Sequence, residues 1–250
     1  LRDIYDDIWV YGRSEICNPL EGVGNIPKSV VGKLSYTGYL RRTSMPSINP
    51  SSMAGSDIQE PFILVTPGGG GDGASLVDWV LRAYEHDPSI PHKAFIVFGP
   101  FMHVDSQSEF KTRIERIPNV EATTFDANIE HLMSKASSVI AMGGYNTFCE
   151  ILSFDKPSLI VPRTVPRLEQ YIRASKAEEL GLVSMIVDDG SRDPKKMARA
   201  IKELPNRPKP SEIHLPGLLD GLSSINGIVD QWLNTKQRSE PSLRVVPNDS

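Results

Sequence analysis

Cysteine is scarce: Cys17 and Cys149 stand far apart in 250 residues. Neither has CxxC spacing, so a disulfide scaffold and a cysteine zinc site are excluded, and two structural thiols in a reducing compartment are expected. A basic excess is also lacking. Lys and Arg number 27 against 31 Asp and Glu, for a net charge of −4. No dense block of one sign occurs, which argues against a nucleic-acid partner. No apolar run reaches the ~18 residues of a membrane span. The acidic opening Leu1-Arg2-Asp3-Ile4-Tyr5-Asp6-Asp7 is unlike the basic start of a secretory signal. The 5 histidines are scattered. HExxH, GxSxG and a Walker Lys-Ser/Thr pair are absent. Asp6-Asp7 makes no convincing metal pair, and His103 with Asp105 reads more readily as loop chemistry than as a dyad. The chain begins in mid-pattern without Met, as a fragment of a longer protein would.

What is present is a regular alternation. Ile8 to Tyr11 reads as a strand, residues 13–29 as a loop, and Val30 to Tyr39 as a β-branched strand. Arg41 to Gln59, rich in Ser, Pro, Asn and Gly, reads as a linker. From Pro61 onward, short apolar strands at 62–65, 94–98, 120–125, 139–141, 158–161 and 183–187 alternate with helices. These cover 74–86, 106–117, 128–136, 145–154, 168–180 and 194–203. Apolar strands without polar alternation are buried on both faces. Alternation with helices implies right-handed βαβ units, hence an α/β, doubly wound, Rossmann-like parallel sheet of order 3-2-1-4-5-6. A last amphipathic helix is expected over 218–233, followed by a polar, disordered tail. The expected division is 1–59 as the end of an N-terminal domain plus linker, 60–235 as the nucleotide-binding domain, and 236–250 as the tail.

Two glycine loops carry the functional signal. Gly68 to Gly73 follows the first strand of the sheet, and Gly143-Gly144 follows the fourth. In the expected order these strands flank the switch point, so both loops open on one crevice. Glycines at Gly69, Gly70, Gly71, Gly73, Gly143 and Gly144 let backbone approach a ligand and aim helix N-termini at an anion such as a diphosphate. Glu150 lies further into the second helix, among apolar residues. It reads either as a carboxylate for a ribose diol or as a surface residue. Glu169 and Gln170 read equally as sugar contacts or as helix-start chemistry.

The span from about 60 to 190 resembles the C-terminal, donor-binding domain of MurG-type glycosyltransferases of the GT-B fold (family 28). That family's GGSxGA motif aligns with Gly69-Gly70-Gly71-Asp72-Gly73-Ala74, with Gly71 in place of Ser. Its RSGAxTxxE motif aligns with Met142 to Glu150, matching Gly144, Thr147 and Glu150, with Met142 in place of Arg. Lys156-Pro157, Val161-Pro162 and Glu169-Gln170 follow the family's next segment. The resemblance implies a nucleotide-sugar donor, a UDP-sugar, transferred with inversion to an acceptor hydroxyl. Gly143, Gly144 and Thr147 would cradle the diphosphate, Glu150 would hold the ribose, and Gln170 would meet the sugar. Phe125, Asp126 and Ile129 would line the base. No metal cofactor is required, because helix N-termini would stabilise the leaving diphosphate. The catalytic base is unassigned and would belong to an N-terminal acceptor domain, of which residues 1–45 would be the end. A cytoplasmic protein, peripheral at the inner membrane face, is implied. A sugar-nucleotide 2-epimerase of the same fold, or a donor subunit with a separate acceptor-binding partner, are the alternatives.

Overall fold

A computed structural model describes residues 4–21, 24–43, 61–69, 71–126 and 128–239. Most of the expected linker, Gly70 and the end of the expected tail lie outside the described residues. The chain divides into two compact units. One comprises 1–13, 20–40 and 217–250, the other 14–19 and 41–216.

In the first unit, β1 (Ile8–Val10) pairs in parallel with β2 (Leu34–Tyr36), Ile8 opposite Leu34. The single strand expected over 30–39 is corrected. A one-turn helix, α1 (Lys28–Val31), starts after Pro27 and ends at Gly32, so the strand begins only at Leu34. Val30 is buried in that turn, its β preference overridden by packing. Gly38 has φ +86°, a left-handed conformation that favours glycine, and a Cβ there would strike the Gly217 carbonyl.

The second unit holds the sheet. In chain order it contains β3 (Phe62–Thr66), α2 (Ala74–His86), β4 (Lys93–Val97), α3 (Val104–Ile114), β5 (Val120–Thr123) and α4 (Ile129–Lys135). It continues with β6 (Ser138–Ala141), α5 (Tyr145–Ser153), β7 (Ser158–Ile160), α6 (Glu169–Glu179), β8 (Ser184–Met185) and α7 (Pro194–Glu203). The six strands lie in the order β5-β4-β3-β6-β7-β8, each parallel to its neighbours, the doubly wound order expected from the sequence. The strand expected over 183–187 is shorter, two residues at the sheet edge. The Met185 N–H donates to Glu178 at 2.7 Å, so an α6 carboxylate serves the open edge. The final helix, α8 (Gly221–Ser239), belongs to the first unit and starts three residues later than expected.

The two faces of the sheet are built by strict alternation. Ile63, Val65, Ile96, Ile140 and Leu159 join one core with Trp79 and Val80 of α2, Phe110 of α3 and Met197 of α7. Their neighbours Phe62, Leu64, Phe95, Val139 and Ile160 are buried on the opposite face. Buried Leu132 and Met133 of α4 and Phe148 and Ile151 of α5 complete the interior. Trp79 is 1% exposed and its indole N–H donates to the Asp193 carbonyl at 2.8 Å. Asp193 in turn caps α7 by accepting from the Lys195 N–H, with Pro194 as first helical residue. Trp79→Ala removes both the packing and this tie between α2 and α7. It is expected to cost about 3–5 kcal/mol in urea unfolding monitored by circular dichroism.

Candidate functional site

The crevice forms because β3 and β6 are adjacent, with Thr66 opposite Ala141 at their C-terminal ends. The chain leaves β3 through Gly68–Gly73 and β6 through Gly143–Gly144, so both glycine loops start side by side. Gly143 has φ +76°, and a Cβ there would lie 2.8 Å from Ile160 Cγ2. Backbone and packing therefore both require glycine. Gly144 is the N-cap of α5 and has no side chain with which to cap the helix. Gly73 is the N-cap of α2, likewise without a side-chain cap. A Cβ on Gly73 would run into Pro67, and one on Gly71 would lie 3.1 Å from the Phe101 carbonyl. Gly69 faces open space. The glycines of the first loop thus differ: Gly73 serves packing, whereas a side chain at Gly69 would meet nothing.

A cleft of about 250 Å³ opens at these strand ends, lined by Asp72, Ser75, Met142, Pro162, Arg163 and Asp188 among others. The predicted residues border it rather than line it. Gly71 and Gly73 flank Asp72, and Gly143 follows Met142. Gln170, 9% exposed, accepts from the Arg163 N–H at 3.1 Å. A Cβ built on Gly144 would be 3.9 Å from Gln170 Nε2. Glu169 lies 3.7 Å from the Arg163 guanidinium. Both are the first residues of α6, with Glu169 exposed and Gln170 turned inward. Gln170 therefore ties the β7–α6 turn beside α5.

Glu150 is buried, 8% exposed, where a surface helix residue was the alternative. Among the described residues none donates a hydrogen bond to its carboxyl. Desolvation pushes it up from 4.5 to about 7; the Glu130 charge adds to this and the Arg42 charge opposes it. Glu130 belongs to the first turn of α4, immediately after Ile129. The predicted base-lining segment thus leads to the neighbourhood of Glu150. Phe125 in that segment is 55% exposed, and Asp126 Oδ1 accepts from the Asn128 N–H at 2.7 Å. Thr147 is half-buried in the first turn of α5. His103 and Asp105 are both exposed, and among the described residues no ion pair joins them.

Three arginines to which the sequence reading gave no role make defined contacts in this unit. Arg42 docks on α5 through its N–H to Ser153 Oγ and its guanidinium to Asn146 Oδ1, each at 2.8 Å. Asn146 is one turn before Glu150 on the same helix face, so Arg42 brings a positive charge to that carboxylate. Nothing in a Ser/Pro-rich stretch marks such a residue. Arg173, 9% exposed, donates to the Gly143 carbonyl at 2.9 Å and lies over the Tyr145 and Phe148 rings at 5.9 and 6.0 Å. Its three-residue spacing from Gln170 on α6 is the signal that could have found it. Arg163 projects into the cleft itself. Among the described residues no three His, Cys, Asp or Glu gather as metal ligands, and no helix is long and apolar enough to cross a membrane.

The sheet order, the crevice and the paired glycine loops define a doubly wound α/β domain of the GT-B C-terminal kind. The chain belongs to glycosyltransferase family 28: the model of that family's C-terminal domain matches residues 62–213. It is 26% identical over 218 residues to an uncharacterized glycosyltransferase of Methanosarcina acetivorans, covering 85% of this chain and 53% of that protein. It is 24% identical over 155 residues to a Clostridium kluyveri protein, covering 61% of this chain and 41% of the relative. That relative is a UDP-N-acetylglucosamine–N-acetylmuramyl-(pentapeptide) pyrophosphoryl-undecaprenol N-acetylglucosamine transferase. The chain thus spans about half the length of the curated relatives it matches. Its fold is shared with the calicheamicin glycosyltransferase CalG4, at TM-score 0.61 and 18% identity, over 96% of this chain and 54% of that one. It is shared also with Acinetobacter baumannii MurG, at TM-score 0.56 and 14% identity, over 80% and 60%.

The raised Glu150 has a signed consequence for stability. An acid that binds its proton more tightly when folded stabilises the fold fully below its unfolded value of about 4.5. That contribution is lost as pH rises through about 7. Glu150→Gln, neutral throughout, is expected to make the ligand-free protein more stable than wild type at pH 8, by about 2 kcal/mol after allowance for nearby water. It should give little difference at pH 4.5. Melting curves at the two pH values check this.

Proposed function

We propose that this chain is the donor-binding part of a hexosyl-transferring glycosyltransferase that takes a nucleoside diphosphate sugar, a UDP-sugar. The observation that carries the reading is Glu150, a buried carboxyl with no donor among the described residues, on the helix that starts at Gly143-Gly144. Leaving a carboxylate desolvated costs free energy unless hydrogen bonds reach it. The 2′ and 3′ hydroxyls of a ribose would supply two. The diphosphate would then fall toward the N-termini of α5 and α2, where first-turn N–H groups and the helix dipoles favour an anion. Gln170, beside Gly144, would meet the sugar, and Phe125, Asp126 and Ile129 would line the base. The name of the Clostridium kluyveri relative, with its UDP-linked donor, supports uridine as that base.

In the proposed reaction an acceptor hydroxyl oxygen attacks the anomeric carbon from the face opposite the diphosphate. The carbon–oxygen bond to the diphosphate breaks, and the configuration inverts. The developing charge on the leaving diphosphate is met by helix N-termini already in place, without a metal. The hydroxyl proton goes to a base outside this chain, and acceptor recognition is likewise assigned to a separate half. The protein works in the cytoplasm, peripheral to a membrane.

Glu150→Ala is expected to weaken UDP binding by about 1.5–3 kcal/mol, the scale of a charged hydrogen bond, in titration calorimetry. Unchanged affinity would count against the ribose role. In a thermal-shift panel UDP and UDP-sugars should raise the melting temperature more than GDP or dTDP, because ligand stabilisation follows affinity. The 250-residue chain should bind donor yet transfer little; measurable turnover by it alone would overturn the division of labour.

A further inference from the structure

The cleft at the strand ends contains one cation among its described lining residues, Arg163, and that cation is bound to the protein's own acids. Nη1 of Arg163 lies 3.0 Å from Asp72 Oδ2, and Nη2 lies 3.7 Å from Glu169 Oε1. Its Nε is buried and has no partner among the described residues. Asp72 belongs to the glycine loop after β3, and Arg163 to the turn after β7. The ion pair therefore spans the mouth of the cleft between the two loops. Arg163 is 28% exposed and Asp72 43%, so the pair stands within reach of solvent and of an entering anion.

Such a pair is weak in water and easily exchanged. A phosphate offers the guanidinium fork two oxygens and more charge than one carboxylate. Two helix N-termini contribute roughly half a positive charge each, too little to balance a diphosphate. We propose that Arg163 is the cation that receives the donor diphosphate, and that Asp72 is its resting counter-ion, released when nucleotide enters. The proposal rests on the donor-site reading above.

The test compares uridine with UDP in titration calorimetry on the full chain. Arg163→Gln is expected to weaken UDP binding about 10- to 100-fold and to leave uridine binding unchanged. Asp72→Asn, which removes the competing acid, is expected to tighten UDP binding several-fold, and to have no effect once Arg163 is already Gln. Should the Gln variant fail to fold, Arg163→Lys carries the same test, with a smaller loss again confined to UDP. Equal losses for uridine and UDP, or an unchanged UDP affinity, would overturn the assignment of Arg163. Weaker UDP binding by Asp72→Asn would overturn that of Asp72. A wild-type chain that binds neither uridine nor UDP removes the donor reading itself, a failure distinct from a wild type that binds both and a variant that does not discriminate.

Discussion

The adjacency of β3 and β6 is the constraint on which the site depends. Because the connection from β5 returns through α4 to the far side of β3, two strands distant in sequence become hydrogen-bonded neighbours, with Thr66 opposite Ala141. Their following loops must diverge to opposite faces of the sheet, and a crevice opens between them. Glycine at 143 follows from this: at φ +76°, against Ile160, no side chain fits. The placement of α5, and with it Glu150, follows from the same turn. So does the reach of Arg173 to the Gly143 carbonyl, which fixes the turn from the α6 side.

Burial of Glu150 is a cost to the fold. The surrounding apolar residues Phe148, Cys149, Ile151 and Leu152 hold α5 on the sheet, and the same packing desolvates the carboxyl. Glu130 worsens its position and Arg42 eases it. A helix designed only for stability would carry a neutral residue here. A group donating two hydrogen bonds to that carboxylate, as the ribose of the proposed donor would, offsets the desolvation. The ion pair of Arg163 with Asp72 is more exposed, and in the proposed donor complex it would exchange partners at lower cost.

Much of this was legible in the linear chain. Short apolar strands spaced by helical periods specify a parallel sheet buried on both faces, and βαβ handedness leaves few orders, among which the observed one was expected. The glycine loops and Glu150 stood out because each departs from what local structure alone would choose. Where local signals were weak the reading slipped: Val30 and Val31 carried a β preference into a helical turn, and β8 contracted at an edge where an α6 carboxylate takes a backbone N–H. The chain's own residues 44–60, Gly70 and 240–250 lie outside the described structure.

The sequence by itself determined the fold class, the strand order and the glycines of the two strand-to-helix loops, because periodicity and steric limits act over a few neighbouring residues. Tertiary structure alone decided which charges meet. Arg42 is 108 residues from Glu150 by number, and Asp72 is separated from Arg163 by 91. No local pattern links such residues. Their partnership arises only when the sheet brings its C-terminal ends together, and there Coulomb attraction, which depends on distance in space rather than along the chain, selects the partners.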